Sequence, residues 1–132
     1  KTTRSRENEM QDHRENPFPA DTGFPPPRDE AAALAATGGD AELAQELLAA
    51  LLRGLPADLE RLAASAKAED WGTLKEIAHR MRGGTSYCAV PALDSALQDL
   101  ERAVKAGDTP RILSGVGTVE VEAERLQRWL GQ

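Results

Sequence analysis

His79 stands in the run Ala-His-Arg-Met-Arg-Gly-Gly, residues 78–84. Trp71, Leu74, Ile77, Ala78 and Met81 around it recur at helical spacing and form one apolar stripe centred near Leu74. At about 100° per residue, His79 falls roughly 140° from Leu74, on the face turned away from the core. Arg82 and Gly83 follow three and four residues on, so they neighbour the imidazole on that face. The pattern displays a ring nitrogen beside a cation and a position without a side chain. Such a histidine suits chemistry in which a second protein must reach it.

Other chemistries fit the spacing less well. His13, His79 and Cys88 share no metal-ligand spacing, and zinc needs three or four donors. Ser86 lies seven residues from His79, two turns along the helix, which gives no nucleophile–base pair. No glycine loop follows a strand to cradle phosphate. A hydrolase using His79 as general base therefore has little support, and no metal site is expected.

The elements that must position His79 read as helices. Asp29 to Ala36 is a short Ala-rich helix, stopped by Gly38 and Gly39. Asp40 is a plausible N-cap for the next. There Leu43, Leu47, Leu51, Leu55, Leu59 and Leu62 form a stripe expected to be buried. Pro56 keeps the phase of that pattern, which predicts one kinked helix rather than two. Asp70 caps the His79 helix, which runs towards Tyr87. Pro91 suits the first turn of the following helix. Its stripe is Leu93, Leu97, Leu100 and Val104, ended by Gly107. Asp108 or Thr109 caps a last helix with Ile112, Val116, Val119, Ala123, Leu126 and Leu130 on its buried face. Four apolar stripes joined by short loops predict an all-α fold, an antiparallel up-and-down four-helix bundle with a short extra N-terminal helix.

Two readings of Gly83 and Gly84 stay open. Either Gly83 is the C-cap of the His79 helix, or the helix runs on and Gly83 clears space beside the imidazole. The second requires tolerating about 1 kcal/mol per glycine relative to alanine.

Composition sets the limits. The chain has 132 residues, room for one modest core. Only 4% of residues are aromatic, which favours packed helices over a sheet. The net charge of -6, with no basic cluster, argues against a nucleic-acid partner. The single cysteine, Cys88, excludes an internal disulfide and fits a reducing compartment. No apolar run approaches the ~18 residues of a membrane span, so no direct membrane contact is expected. With no N-terminal Met and no signal-peptide pattern, the sequence reads as a piece of a longer polypeptide. Residues 1–28 hold five of the eight prolines and no Leu, Ile or Val. They read as a linker before a domain over residues 29–132, with Phe18 and Phe24 as residues that could dock on the helices.

The run His79-Arg80-Met81-Arg82-Gly83-Gly84, continued by Tyr87-Cys88-Ala89-Val90-Pro91, resembles a histidine-containing phosphotransfer (HPt) domain. The further match through Leu93, Leu97-Gln98 and Leu100-Glu101 is similar to the C-terminal module of hybrid sensor histidine kinases of the GacS/BarA type. The family usually has glycine ten residues after the histidine, where this chain has Ala89. A positive φ there would strain a residue with a Cβ. Twenty-two residues after the histidine the family often has Gln, and here it is Glu101.

The resemblance implies a phosphorelay carrier that is not an enzyme on its own. His79 would accept a phosphoryl group from a receiver-domain aspartate and pass it to another. Glu101 would orient the ring, Arg82 would offset phosphoryl charge, and Gly83 would give access. Lys75, Arg80 and Gly84 would face the partner. The implied partners are receiver domains of the parent kinase and of a response regulator. No cofactor is expected in the module itself, with Mg²⁺ belonging to the receiver. The implied location is cytoplasmic, in a parent protein anchored in the bacterial inner membrane. The alternative is a helical adaptor whose same face binds a receiver or kinase domain while His79 carries nothing.

Overall fold

Local sequence signals start each helix in the computed structural model, which describes residues 25–131. The helices are α1 (Glu30–Ala36), α2 (Ala41–Lys67), α3 (Trp71–Cys88), α4 (Pro91–Ala106) and α5 (Thr109–Leu130). Four of them begin on an aspartate. The carboxylates of Asp29, Asp40, Asp70 and Asp108 accept the backbone N–H three residues on, at 3.0 to 3.2 Å. Each satisfies one donor that the first turn leaves free. Asp70 also accepts from the Thr73 hydroxyl at 2.8 Å. That bond and the Thr73 N–H hold its carboxyl below the usual range. α4 has no side-chain cap and starts on Pro91, whose missing N–H would have been unpaired there anyway.

Neighbouring helices pack in order, α2 on α3, α3 on α4 and α4 on α5, and α5 closes the bundle against α2. Connections of two or three residues, 68–70, 89–90 and 107–108, force consecutive helices to run antiparallel. α1 lies against α2 and α3. The expected four-helix bundle with a short N-terminal helix is the fold. Its centre is Leu55, Leu62, Leu74, Leu93, Leu97, Leu100, Ile112, Val119 and Leu126, each at most 1% exposed.

α2 is one helix through Pro56. The ring is exposed, so water can reach the carbonyl that proline cannot bond. The buried line of α2 differs from the expected stripe. Leu55 and Leu62 are buried, but Leu47, Leu51 and Leu59 are half-buried and Leu43 is exposed. Ala44, Leu48 and Ala66 take their place in the interior. Successive steps of four gain about 40° each on a 3.6-residue turn, so no straight face can hold the whole leucine series.

The chain meets the bundle slightly before residue 29. Pro27 and Arg28 are buried, the Ala92 N–H donates to the Pro26 carbonyl at 3.2 Å, and the Asp29 N–H donates to the Ala89 carbonyl at 2.9 Å. These bonds tie the start of α1 to the α3–α4 turn. Phe18 and Phe24 lie outside the described residues.

Candidate functional site: an imidazole on the α3–α4 face

α3 runs unbroken through Gly83 and Gly84 to Cys88. This decides between the two readings of the glycine pair: the helix continues. Its end is at Ala89, which takes the left-handed conformation at φ 56°. The Cβ there carries the strain anticipated for a non-glycine residue.

Beneath His79, Leu74, Ile77, Ala78 and Met81 are buried, and the ring projects outward with its side chain 80% exposed. Its Nδ1 lies 3.2 Å from Oε2 of Glu101 on α4. An ionised carboxylate has no proton to give, so Nδ1–H must be the donor. In the neutral ring this leaves the lone pair on Nε2, which bonds to none of the described residues. The other oxygen of Glu101 accepts from Arg82 at 2.9 Å. Glu101 thus bridges the imidazole and a guanidinium across the α3–α4 seam. The bond to Glu101, with the nearby charge of Asp94, holds the Arg82 pKa up.

Asp94, one turn into α4, gathers the other side of this cluster. It accepts from the Thr85 hydroxyl at 2.7 Å and from Ser86 at 3.1 Å. Gln98 donates to it at 3.5 Å, and the Arg82 Nε lies 3.7 Å away. That Nε is buried and has no hydrogen-bond partner, so Asp94 meets it as a charge rather than as an acceptor. Asp94 and Thr85 escaped the sequence reading. A signal was present: Thr85 is a polar residue in the buried register after Met81, and Asp94, Gln98 and Glu101 share one face of α4.

A Cβ on Gly83 would meet nothing within 4 Å, so open space lies one turn beyond His79. Gly84 differs from its expected place at a partner. Its Cβ would come 3.2 Å from Leu51 Cδ1, which makes it a packing position between α3 and α2. Lys75 is exposed one turn before His79. Arg80 is exposed too, but it pairs with Asp58 of α2 at 3.6 Å. Ser86 is committed to Asp94. Cys88 is buried, and that burial raises its thiol pKa despite the nearby charge of Arg28. His13 lies outside the described residues. Among the described residues no group of three His, Cys, Asp or Glu side chains could hold a metal ion.

The imidazole stands on an open surface. One cavity of about 570 Å³ lies between α1, α2 and the end of α5, and another of about 250 Å³ lies behind Thr85 and Asp94. His79 lines neither. A flat, open histidine fits a protein partner better than an enclosed small molecule.

The sequence pattern of the Hpt domain matches residues 46–129. The chain belongs to the Hpt domain family. Hpt domains are the histidine phosphotransfer modules of two-component signalling, and the match spans α2 to α5 with His79 inside it. The domain is 44% identical over 81 residues to the sensor histidine kinase GacS of Pseudomonas protegens, covering 61% of this chain and 9% of that protein. It is 30% identical over 105 residues to the virulence sensor protein BvgS of Bordetella bronchiseptica, covering 75% of this chain and 8% of that protein. The chain therefore spans less than a tenth of the length of these relatives. The fold matches the crystal structure of the HPT domain from a Shewanella hybrid histidine kinase, with a TM-score of 0.64 and 24% identity. That match covers 80% of this chain and 94% of the other. Among the described residues no helix is long and apolar enough to cross a membrane.

Proposed function

We propose that His79 is the phosphoacceptor of this Hpt domain, taking the group from one receiver-domain aspartate and handing it to another. The observation that supports this most is the exposed ring whose Nδ1 faces a carboxylate. In this reading the Nε2 lone pair attacks the phosphorus of an aspartyl phosphate. The bond from phosphorus to the aspartate oxygen breaks, and the carboxylate leaves with its electron pair. The ring becomes cationic, with its Nδ1–H against Glu101. A fixed anion at that point stabilises charge that develops during transfer. Return of the group to a second aspartate reverses these events.

Arg82 supports the exchange through Glu101, which it pins, and through its positive charge near the phosphoryl oxygens. Gly83 leaves room for the receiver, and Lys75 adds positive charge on the same side. The Mg²⁺ that such transfer needs would come with the receiver. The module carries phosphate without catalysing turnover of its own, within a larger sensor kinase whose anchored body holds it on the cytoplasmic side.

Incubation with a labelled, phosphorylated receiver domain tests the proposal. The expected result is acid-labile label on the folded wild type and none on His79→Gln. A folded wild type that takes no label would instead favour the adaptor reading, and label on His79→Gln would move the site elsewhere.

A further inference from the structure

Asp94 has no part in the exchange as described, yet it holds the most connected polar position beside the site. Its carboxylate accepts from Thr85, Ser86 and Gln98 and lies 3.7 Å from the Arg82 Nε. Thr85 is fully buried; its hydroxyl has the Arg82 carbonyl at 3.3 Å and Asp94 at 2.7 Å as acceptors, and the shorter contact ties Asp94 to α3. Arg82 in turn has only one of its nitrogens on Glu101, the NH1 at 2.9 Å. A guanidinium prefers to take a carboxylate with two parallel N–H bonds. If it did so here, a second guanidinium N–H would compete with the His79 Nδ1–H for Oε2, the oxygen that the ring uses.

We propose that Asp94 is a positioning residue for phosphotransfer: it holds Arg82 back from bidentate capture of Glu101 and so leaves Oε2 free to fix the His79 tautomer. The order of contacts is Asp94 to Arg82, Arg82 to Glu101, and Glu101 to His79 Nδ1. Asp94 touches neither the ring nor the incoming phosphoryl group. Its effect reaches them through which oxygen of Glu101 remains available. The inference rests on the phosphoacceptor reading of His79 for its kinetic consequence, but the tautomer can be observed without any phosphate.

The discriminating variant is Asp94→Asn. Its amide oxygen still accepts from Thr85, so the buried hydroxyl stays paired, but the charge facing Arg82 is gone. Imidazole ¹⁵N shifts of unphosphorylated protein report the tautomer directly. We expect wild type to show Nδ1 protonated and Nε2 bare, and Asp94→Asn to show a mixture. Asp94→Glu, which keeps the charge, should restore the wild-type pattern at least in part. The transfer rate from a phosphorylated receiver should fall about fivefold to tenfold in Asp94→Asn, the scale of one lost net hydrogen bond. Unchanged ¹⁵N shifts in a folded Asp94→Asn would overturn the inference, as would a Glu variant that behaves like the Asn one. Should the Asn variant not fold, Asp94→Asn combined with Thr85→Val removes the buried hydroxyl's demand on this position and carries the same expectation. A wild type that shows the expected tautomer but accepts no phosphate would defeat the phosphoacceptor reading and leave the positioning role of Asp94 standing.

Discussion

Glu101 answers two cations or potential cations with its two oxygens, one 3.2 Å from His79 and the other 2.9 Å from Arg82. A glutamine could accept the Nδ1–H with its single oxygen, but it would face Arg82 with an NH₂ group or lose the imidazole. The residue scale therefore predicts a graded series. Glu101→Ala should slow phosphotransfer about tenfold to a hundredfold, a loss worth one charged hydrogen bond, while Glu101→Gln should fall between it and wild type. Stopped-flow or quench measurements of transfer from a receiver check the order; a glutamine variant slower than the alanine one would contradict it. His79, Arg82, Gly83 and Glu101 were legible in the sequence, the first three because helical phase alone places them together. Glu101 needed the family resemblance, since no periodicity says which α4 residue lies across the seam. Asp94 was missed because its significance depends on Thr85 and Arg82, two residues of another helix. The packing role of Gly84 was not legible, because the close approach of Leu51 is a property of two packed helices.

At the scale of the element, α3 carries a cost at each of two positions. Gly83 is a helix-interior glycine with empty space around its missing Cβ. Gly83→Ala should therefore stabilise the fold by about 0.5 to 1 kcal/mol, while Gly83→Leu keeps the fold and slows transfer by filling the approach to His79. Thermal unfolding and transfer kinetics on the same samples test the pair; a leucine variant with wild-type transfer would remove the access role. Ala89 pays for the left-handed turn after Cys88. Ala89→Gly should raise stability by about 1 kcal/mol, the strain of a Cβ at positive φ less the added freedom of the unfolded chain. No rise in the unfolding midpoint would contradict that. The helices themselves were readable because aspartate caps and prolines mark their starts. The face of α2 was less so. Its leucines step by four, and which of them are buried depends on where α3 and α5 lie, which the stripe does not encode.

For the whole molecule, the bundle is a scaffold that fixes two helices side by side so that one histidine and one glutamate meet. Leu100 immediately precedes Glu101, is fully buried, and receives the backbone of α5 closely. A Cβ on Gly115 would fall 3.1 Å from its Cδ1. Leu100→Ala should cost about 2 to 5 kcal/mol and slow transfer beyond what stability explains, because it loosens the helix that carries Glu101. Leu51 had been expected in the core, but it is half-buried, so Leu51→Ala should cost clearly less. Chemical denaturation of the two variants checks the ranking, and equal costs would contradict the packing described. The up-and-down order of helices was legible from stripes and short loops. The closeness of α4 and α5 at Gly115 was not, since a glycine in a helix does not announce what approaches it.

The most direct measurement is the site of the phosphoryl group itself. Wild type is phosphorylated by a receiver domain and examined by ³¹P and ¹⁵N NMR. The account predicts one phosphorus bonded to Nε2 of His79, with Nδ1 still protonated towards Glu101. Phosphorus on Nδ1, on another residue, or on no residue of a folded sample would contradict it.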